Sequence, residues 1–205
     1  MEHIEPRGYR LSGDLFEDFD HLPPWRWLLI GNLWALLPLA AAVLILWLPY
    51  QFYAALGAPL ALFDNPAWSP VAHWVFGALV VAGSILLHEG LHALALVVLG
   101  YRARLRFASG YFFATTGSFL TRRHYLIMVL TPISVMTLGG IVVLLLLPIS
   151  LGQIVLIALL LNAAASIGDL AVADRARRQP DDALFADRGS IKVFLPDGFD
   201  HAKKL

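Results

Sequence analysis

The chain has 205 residues, of which 59% are hydrophobic and only 15% are charged, and its mean hydropathy is +0.69. This composition excludes an ordinary soluble domain, in which about a quarter of the residues carry a charge. Basic and acidic residues balance at 15 each, so no positive excess predicts a nucleic-acid partner, and the lack of cysteine excludes disulfides and thiolate metal ligands.

Four apolar segments have the length that a membrane-spanning helix requires. They follow a polar segment of mixed charge, residues 1–26, and they precede a polar tail, residues 174–205. We therefore predict an N-terminal segment over residues 1–26, a four-helix membrane core over residues 27–173, and a C-terminal tail over residues 174–205. The predicted spans are Trp27–Pro49, Val71–Leu99, Tyr125–Pro148 and Gln153–Ala173.

Two shorter segments carry the signals of strands. Between the second and third spans, Arg102, Arg104 and Arg106 alternate with apolar residues, which predicts a short β-hairpin segment over residues 102–121. In the tail, the turn residues Asp187-Arg188-Gly189 separate two apolar stretches and predict a small hairpin. The predicted fold class is an all-α membrane protein with four transmembrane helices, a short β-hairpin segment between helices 2 and 3, and a small C-terminal hairpin.

The fifteen lysines and arginines indicate how the helices are oriented. All of them lie before the first span, between the second and third spans, or after the fourth. With four spans these regions share one side of the membrane, which the positive-inside rule identifies as the cytoplasm. We therefore expect a multi-pass integral membrane protein, surrounded by the lipid bilayer, with both termini in the cytoplasm.

The second span contains the sequence His88-Glu89-Gly90-Leu91-His92. Histidines four residues apart fall on one face of a helix and can bind the same zinc ion, while the adjacent glutamate can act as a general base. Ionisable groups at membrane depth are costly, so each one is a candidate functional residue. Hydrogen-bonded structural histidines are the alternative, and the cost of burying polar groups favours a metal site.

Asp169 is the predicted third ligand of this ion. A catalytic zinc site usually has three protein ligands and one open position, and Glu89 and Asp169 are the two acidic residues inside the predicted spans. One carboxylate, two neutral imidazoles and one hydroxide make a formally neutral zinc site, which lowers the cost of placing the ion in a bilayer. Zinc brings the pKa of its bound water to near 7, and Glu89 would accept the proton and pass it to the leaving amine. A cap at the helix end, near the interface, is the alternative role of Asp169.

Asn162 is a candidate substrate-binding residue, because it lies seven residues before Asp169 on nearly the same helical face. Its amide could orient a substrate backbone or a ligand, but asparagine also forms hydrogen bonds between membrane helices, and both roles stay open. Ser166 is a weaker candidate for a hydrogen bond to one of the metal-binding side chains. His73 and His124 lie at span edges and are expected at the interface rather than on the metal.

These motifs resemble those of known membrane enzymes. A span with HEGLH, an aspartate in a later span and a hairpin segment between them resemble the site-2-protease-like intramembrane zinc metalloproteases. More narrowly, the chain resembles a group called putative zincin peptidases in HEGLH, in YLIMVLTP at 125–132, in NAAASIGDL at 162–170 and in the Asp187-Arg188-Gly189 tail. The resemblance implies zinc ligands at His88, His92 and Asp169 and a catalytic role for Glu89.

The chain also departs from the site-2 pattern of asparagine, then proline, then Asp-Gly in the later span. No proline lies between Asn162 and Asp169, and Gly168 precedes the aspartate rather than following it. This difference leaves the role of Asn162 open and alters how the aspartate is presented.

We therefore expect an intramembrane zinc metalloendopeptidase that hydrolyses peptide bonds of membrane-associated proteins or peptides near the cytoplasmic side. A substrate helix must unwind to expose its scissile bond, and the edge of the hairpin segment could pair with it. The alternative is a non-enzymatic divalent-metal-binding membrane protein, a transporter or a sensor. Transporters often have repeated halves and several midplane sites, whereas this sequence has one candidate site and no repeat, which favours the protease.

Overall fold

The computed structural model describes residues 5–16, 23–55, 69–108, 111–146, 149–187 and 190–199. The helices are α1 (Pro24–Ala55), α2 (Pro70–Val98), α3 (Arg122–Leu146), α4 (Ile149–Ala165) and α5 (Ile167–Arg177). The strands are β1 (Tyr9–Asp14), β2 (Ala103–Ala108), β3 (Tyr111–Thr116), β4 (Leu120–Thr121), β5 (Leu184–Asp187) and β6 (Ile191–Pro196). The prediction of a mostly helical chain with apolar helices and some antiparallel strands is confirmed.

Among the described residues, three helices are long and apolar enough to cross a membrane: α1, through its stretch Asn32–Phe52, and the whole of α2 and α3. Leu44, Trp74 and Leu146 are 75%, 81% and 78% exposed, as expected of large apolar side chains that face lipid rather than water. The chain is accordingly an integral membrane protein. α1 continues to Ala55, beyond the predicted end of the first span at Pro49.

The fourth predicted span, Gln153–Ala173, is not one straight helix. α4 ends one residue before Ser166 and α5 begins one residue after it, with a bend of 44° between them. The carbonyl of Asn162 accepts hydrogen bonds from both the backbone N–H and the hydroxyl of Ser166, at 2.9 and 2.7 Å. A serine that bonds back to the preceding turn bends a helix, and Gly168 just beyond the break is a poor helix former. The described residues contain four spans if the bent pair counts as one.

The chain divides into two compact units, of which the first, the sheet unit, contains Met1–Pro24, His92–Leu130 and Asp169–Leu205. Its described strands form a four-stranded antiparallel sheet in the order β1-β6-β5-β4 and a separate β2-β3 hairpin. Tyr125 and Phe185, which are 1% and 0% exposed, stack in the core of this unit with their ring centroids 4.7 Å apart. The sheet unit therefore has an apolar core of its own.

Strand β1 extends the sheet beyond the predicted C-terminal hairpin. It pairs antiparallel with β6, from Tyr9 opposite Pro196 to Asp14 opposite Lys192. Its sequence, YRLSGD, has only two alternating apolar residues, Tyr9 and Leu11, and so short a pattern does not predict a strand. β5 and β6 lie on either side of the predicted tail turn, of which residues 188–189 lie outside the described residues.

The second compact unit, the helical unit, contains Trp25–Leu91 and Thr131–Gly168. Its core is a small cluster of leucines that includes Leu144 and Leu159, which are 0% and 5% exposed. A Cβ atom at Gly140 would lie 2.5 Å from the Leu159 side chain. The glycine thus allows α3 and α4 to approach closely, as small residues do between membrane helices.

Candidate metal centre

One face of α2 is buried, and that face carries polar side chains. Ser84, His88 and His92 follow one another at four-residue intervals and are 6%, 7% and 7% exposed, and residues at this interval lie on one side of a helix. Leu86 and Leu87, on other sides of the same helix, are 50% and 52% exposed. The helix therefore directs its two histidines inward, together with apolar residues such as Leu91.

The ring of His92 is oriented by a backbone carbonyl. Its Nδ1 atom lies 2.9 Å from the carbonyl oxygen of Met128 in α3. A carbonyl oxygen can only accept a hydrogen bond, so Nδ1 carries the proton, and in the neutral ring the lone pair is on Nε2. That nitrogen is the one that can bind a metal ion.

The ring of His88 is oriented by a side-chain amide. Its Nδ1 atom lies 2.9 Å from Oδ1 of Asn162 in α4, and the asparagine is only 2% exposed. With the amide oxygen as acceptor, Nδ1 of His88 again carries the proton and Nε2 the lone pair. Histidines that bind metals almost always donate their second N–H in this way, so both rings have the tautomer that a metal site needs.

Asp169 is presented by the first turn of α5. A carboxylate is favoured there, because the first N–H groups of a helix lack internal partners and its dipole is positive at this end. The other end of α5 is anchored within the sheet unit. Arg175 donates a hydrogen bond of 2.7 Å to the carbonyl of Leu15, and Arg122 donates to the carbonyl of Gln179 and pairs with the carboxylate of Asp181.

His88, His92 and Asp169 form the one group of three or more potential metal-binding side chains in the described part of the chain. Their donor atoms all lie within 4.8 Å of one another. The two histidines lie one helical turn apart. Asp169 joins them from another helix, with its Oδ1 atom 3.4 Å from Nε2 of His92.

The donor set fits zinc. Ligand atoms at about 2.0–2.2 Å from a tetrahedral zinc ion are roughly 3.3–3.5 Å from each other, and the His92–Asp169 separation of 3.4 Å falls in that range. It is longer than the usual N–H···O hydrogen bond of about 2.9–3.0 Å. Two imidazoles and one carboxylate also leave a fourth position open, as catalytic zinc sites do.

The structure gives the other predicted residues different surroundings. Glu89 is half-buried and lies outside the three-residue group. Asn162 contacts His88, and its Nδ2 atom is buried with no hydrogen-bond partner in the described part of the chain. Ser166 bonds to the backbone of α4 rather than to the group. His73 and His124 lie outside the group, bonded to the carbonyl of Ser69 and to the hydroxyl of Tyr101, respectively.

The carbonyl of Met128 is the functional atom that sequence reasoning missed. A backbone acceptor has no side-chain signature, because every residue within the chain has the same carbonyl group. The sequence does contain one signal for it, which is a proline, Pro132, four residues later in α3.

Comparison with known proteins identifies the family. The model of a family described as "Putative zincin peptidase" matches residues 81–184, slightly more than half of the 205-residue chain. The match begins within α2 before the histidine pair and ends at the start of β5, so it includes all three members of the candidate metal group. No curated protein and no solved structure matches the chain.

Proposed function

This chain belongs to the Putative zincin peptidase family, and we propose that it is an intramembrane zinc metallopeptidase that cleaves membrane-associated substrates near the cytoplasmic side of the bilayer. The observation that carries the proposal is the group of His88, His92 and Asp169, whose donor atoms lie within 4.8 Å of one another. The two histidines belong to a helix that is long and apolar enough to span a membrane. Family and donor set thus support the same chemistry, hydrolysis of a peptide bond.

Three side chains would hold the zinc ion: His88 and His92, each through Nε2, and Asp169 through a carboxylate oxygen. Support for these roles comes from the acceptors that already orient both imidazole rings, the carbonyl of Met128 and the amide of Asn162. One carboxylate also offsets half the charge of the ion, which lowers the cost of burial. When bound, zinc supplies the Lewis acidity that activates water for attack on a carbonyl carbon.

Glu89 is the proposed general base. It follows His88 directly, so its side chain leaves the helix about 100° around the axis from that ligand, beside the ligands rather than among them. Its carboxylate would take a proton from the attacking water and then deliver it to the nitrogen of the leaving amine. Its partial exposure leaves room for a substrate at that position.

The proposed topology has four spans, with α4 and α5 together as a broken fourth span and both termini in the cytoplasm. The distribution of the basic residues supports this orientation, because all fifteen then lie on one side. At 1.5 Å per residue, His92 lies about 9 Å from the end of α2 at Val98. The metal group would thus lie in the cytoplasmic half of the bilayer.

Two features suit an extended, unwound substrate segment. The Nδ2 atom of Asn162 is a buried donor without a partner in the described part of the chain, and it would donate to a substrate carbonyl. Strand β2 pairs with β3 along one edge in the two-stranded sheet, and its other edge would add a substrate strand through main-chain hydrogen bonds. Replacement of the hairpin by a flexible linker, with folding retained, should abolish cleavage; unchanged cleavage would refute this role.

The metal assignment is tested by the zinc content of the detergent-purified protein, measured by elemental mass spectrometry. We expect about one zinc per chain, loss of zinc in the double variant H88A/H92A, and weaker binding in Asp169→Ala. The matched control is His73→Ala, which removes a histidine from the same helix but outside the group. A wild-type protein that binds no stoichiometric zinc after reconstitution would end the protease proposal.

A further inference from the structure

Pro132 lies four residues after Met128 within α3 and is fully buried. In an α-helix, the carbonyl of each residue accepts a hydrogen bond from the N–H four residues later, and proline has no N–H to donate. The carbonyl of Met128 therefore lacks its normal helical donor. It is the same carbonyl that accepts the Nδ1–H bond of His92 at 2.9 Å.

The proline affects this carbonyl in a second way. A proline ring inside a helix crowds the carbonyl four residues earlier and kinks the helix, which turns that oxygen away from the axis. In a regular helix the oxygen points along the axis towards the next turn, where a donor from a neighbouring helix reaches it poorly. The missing donor leaves one acceptor on α3 that a side chain of another helix can use, and crowding by the proline ring acts in the same direction.

Two requirements of a membrane helix are met by one hydrogen bond. A carbonyl without its helical N–H needs another donor when no water is near, and the Nδ1–H of His92, in a residue only 7% exposed, needs an acceptor. We propose that Pro132 is a positioning residue for zinc: it keeps the carbonyl of Met128 available, and the carbonyl holds His92 with its Nε2 lone pair towards the ion. As far as zinc is concerned, this inference rests on the proposed function.

The alternative is a proline that only shapes the packing of α3. In that case its replacement would change stability without changing the hydrogen bond of His92. α1 contains Pro38 and Pro49 within its helix, and the carbonyls four residues before them belong to Trp34 and Ile45. The Nδ1 atoms of His88 and His92 contact Asn162 and Met128 instead. Pro38 therefore supplies a matched control.

The test is Pro132→Ala beside Pro38→Ala, each in the full-length protein in detergent. Alanine restores the N–H at position 132 and is the best helix former, so the variant keeps its helix while the carbonyl of Met128 regains its helical donor. We expect zinc affinity, measured by competition with a chelator, to fall by about 10- to 100-fold, the usual effect of removing a partner of a metal-bound histidine. Pro38→Ala should bind zinc as the wild type does.

A second readout does not depend on zinc. NMR of nitrogen-labelled histidine in the metal-free protein should report the Nδ1–H tautomer of His92 in the wild type, and a mixture of the two tautomers in Pro132→Ala. Failure of the wild type to bind zinc would overturn the proposed function, while the NMR result would still decide whether Pro132 controls the ring. Unchanged His92 signals together with unchanged zinc affinity in Pro132→Ala would overturn the inference.

A backbone ester separates the missing donor from the general effects of substitution. Lactic acid at position 132, introduced into the chain in place of proline, has the alanine side chain but no N–H. We expect it to recover most of the zinc affinity that Pro132→Ala loses. If the ester variant binds zinc as weakly as the alanine variant, the missing N–H is not what positions His92, and the inference is wrong.

Discussion

Replacing Asn162 with leucine, which has nearly the same shape but no hydrogen-bonding atoms, should weaken zinc binding by about 10- to 100-fold. The hydrogen bond that disappears joins Nδ1 of His88 to the amide oxygen at 2.9 Å, between residues that are 7% and 2% exposed. Leaving such a buried N–H without an acceptor costs about 1–3 kcal/mol. At 1.4 kcal/mol per tenfold change, that cost corresponds to a factor of about 5–150, which includes the range observed for partners of metal-bound histidines.

Only part of this cost will appear as lost affinity. In the metal-free variant His88 is able to turn towards another acceptor, whereas zinc binding fixes the ring, so the affinity reports the difference between the two states. Chelator competition measures that difference, and thermal unfolding of the metal-free protein measures the part of the cost that is already present without zinc. The control is Ser84→Ala, which removes a buried hydroxyl one turn away on α2 that donates its hydrogen bond to the carbonyl of Val80. Zinc affinity equal to that of the wild type in Asn162→Leu would refute the orienting role of the amide.

Three further outcomes are expected. Glu89→Gln should retain zinc and lose about 10²- to 10⁴-fold in cleavage rate in a peptidase assay, and a fully active variant would exclude the general-base role. Zinc affinity should fall as the pH is lowered, because imidazole and carboxylate ligands bind metal only when deprotonated. Competition with a chelator at several pH values measures this dependence, and an affinity that does not change with pH would contradict a histidine-based site. Phe185→Ala should lower the free energy of unfolding of the sheet unit by about 3–5 kcal/mol, because Phe185 is 0% exposed and stacks on Tyr125. Chemical denaturation measures this change. A loss of less than about 1 kcal/mol would show that the core repacks to fill the space left by the ring.

The apolar helices could be predicted from the sequence because their signal is local. Twenty consecutive apolar residues have few alternatives to a membrane helix, and α1, α2 and α3 correspond to the first three predicted spans. Strand β1 could not be predicted, because it exists through pairing with β6, which lies more than 170 residues away in the chain. The helix break at Ser166 was also missed: it contains no proline, and the back-bond of a serine hydroxyl depends on a rotamer that the sequence does not specify.

The local features of the candidate site could likewise be predicted from the sequence, whereas its tertiary contacts could not. The spacing of His88 and His92 is a local property of a helix, so their common face follows from the sequence alone. The closeness of Asp169 to His92 is a tertiary contact. It could be expected only because catalytic zinc needs a third ligand and Asp169 is, besides Glu89, the acid inside the predicted spans. The partners of the two Nδ1 atoms lie 36 and 74 residues away from the histidines. Pro132 and the position of Asn162 seven residues before Asp169 are signals of a role, but neither signal indicates which histidine is contacted.

Both irregularities of the later helices occur where the metal group needs polar atoms. Pro132 leaves a carbonyl of α3 available to His92, and the break at Ser166 starts a new helix whose first turn presents Asp169. A regular membrane helix satisfies all its own backbone groups and offers none to a ligand site, so a polar centre within such helices requires breaks in their hydrogen bonding. On this reasoning, a change that makes either helix regular should damage the metal site even when it stabilises the helix. Ser166→Ala, which removes the back-bond and favours continuation of α4 into α5, should therefore raise thermal stability and lower zinc affinity together; an increase in both would contradict the argument.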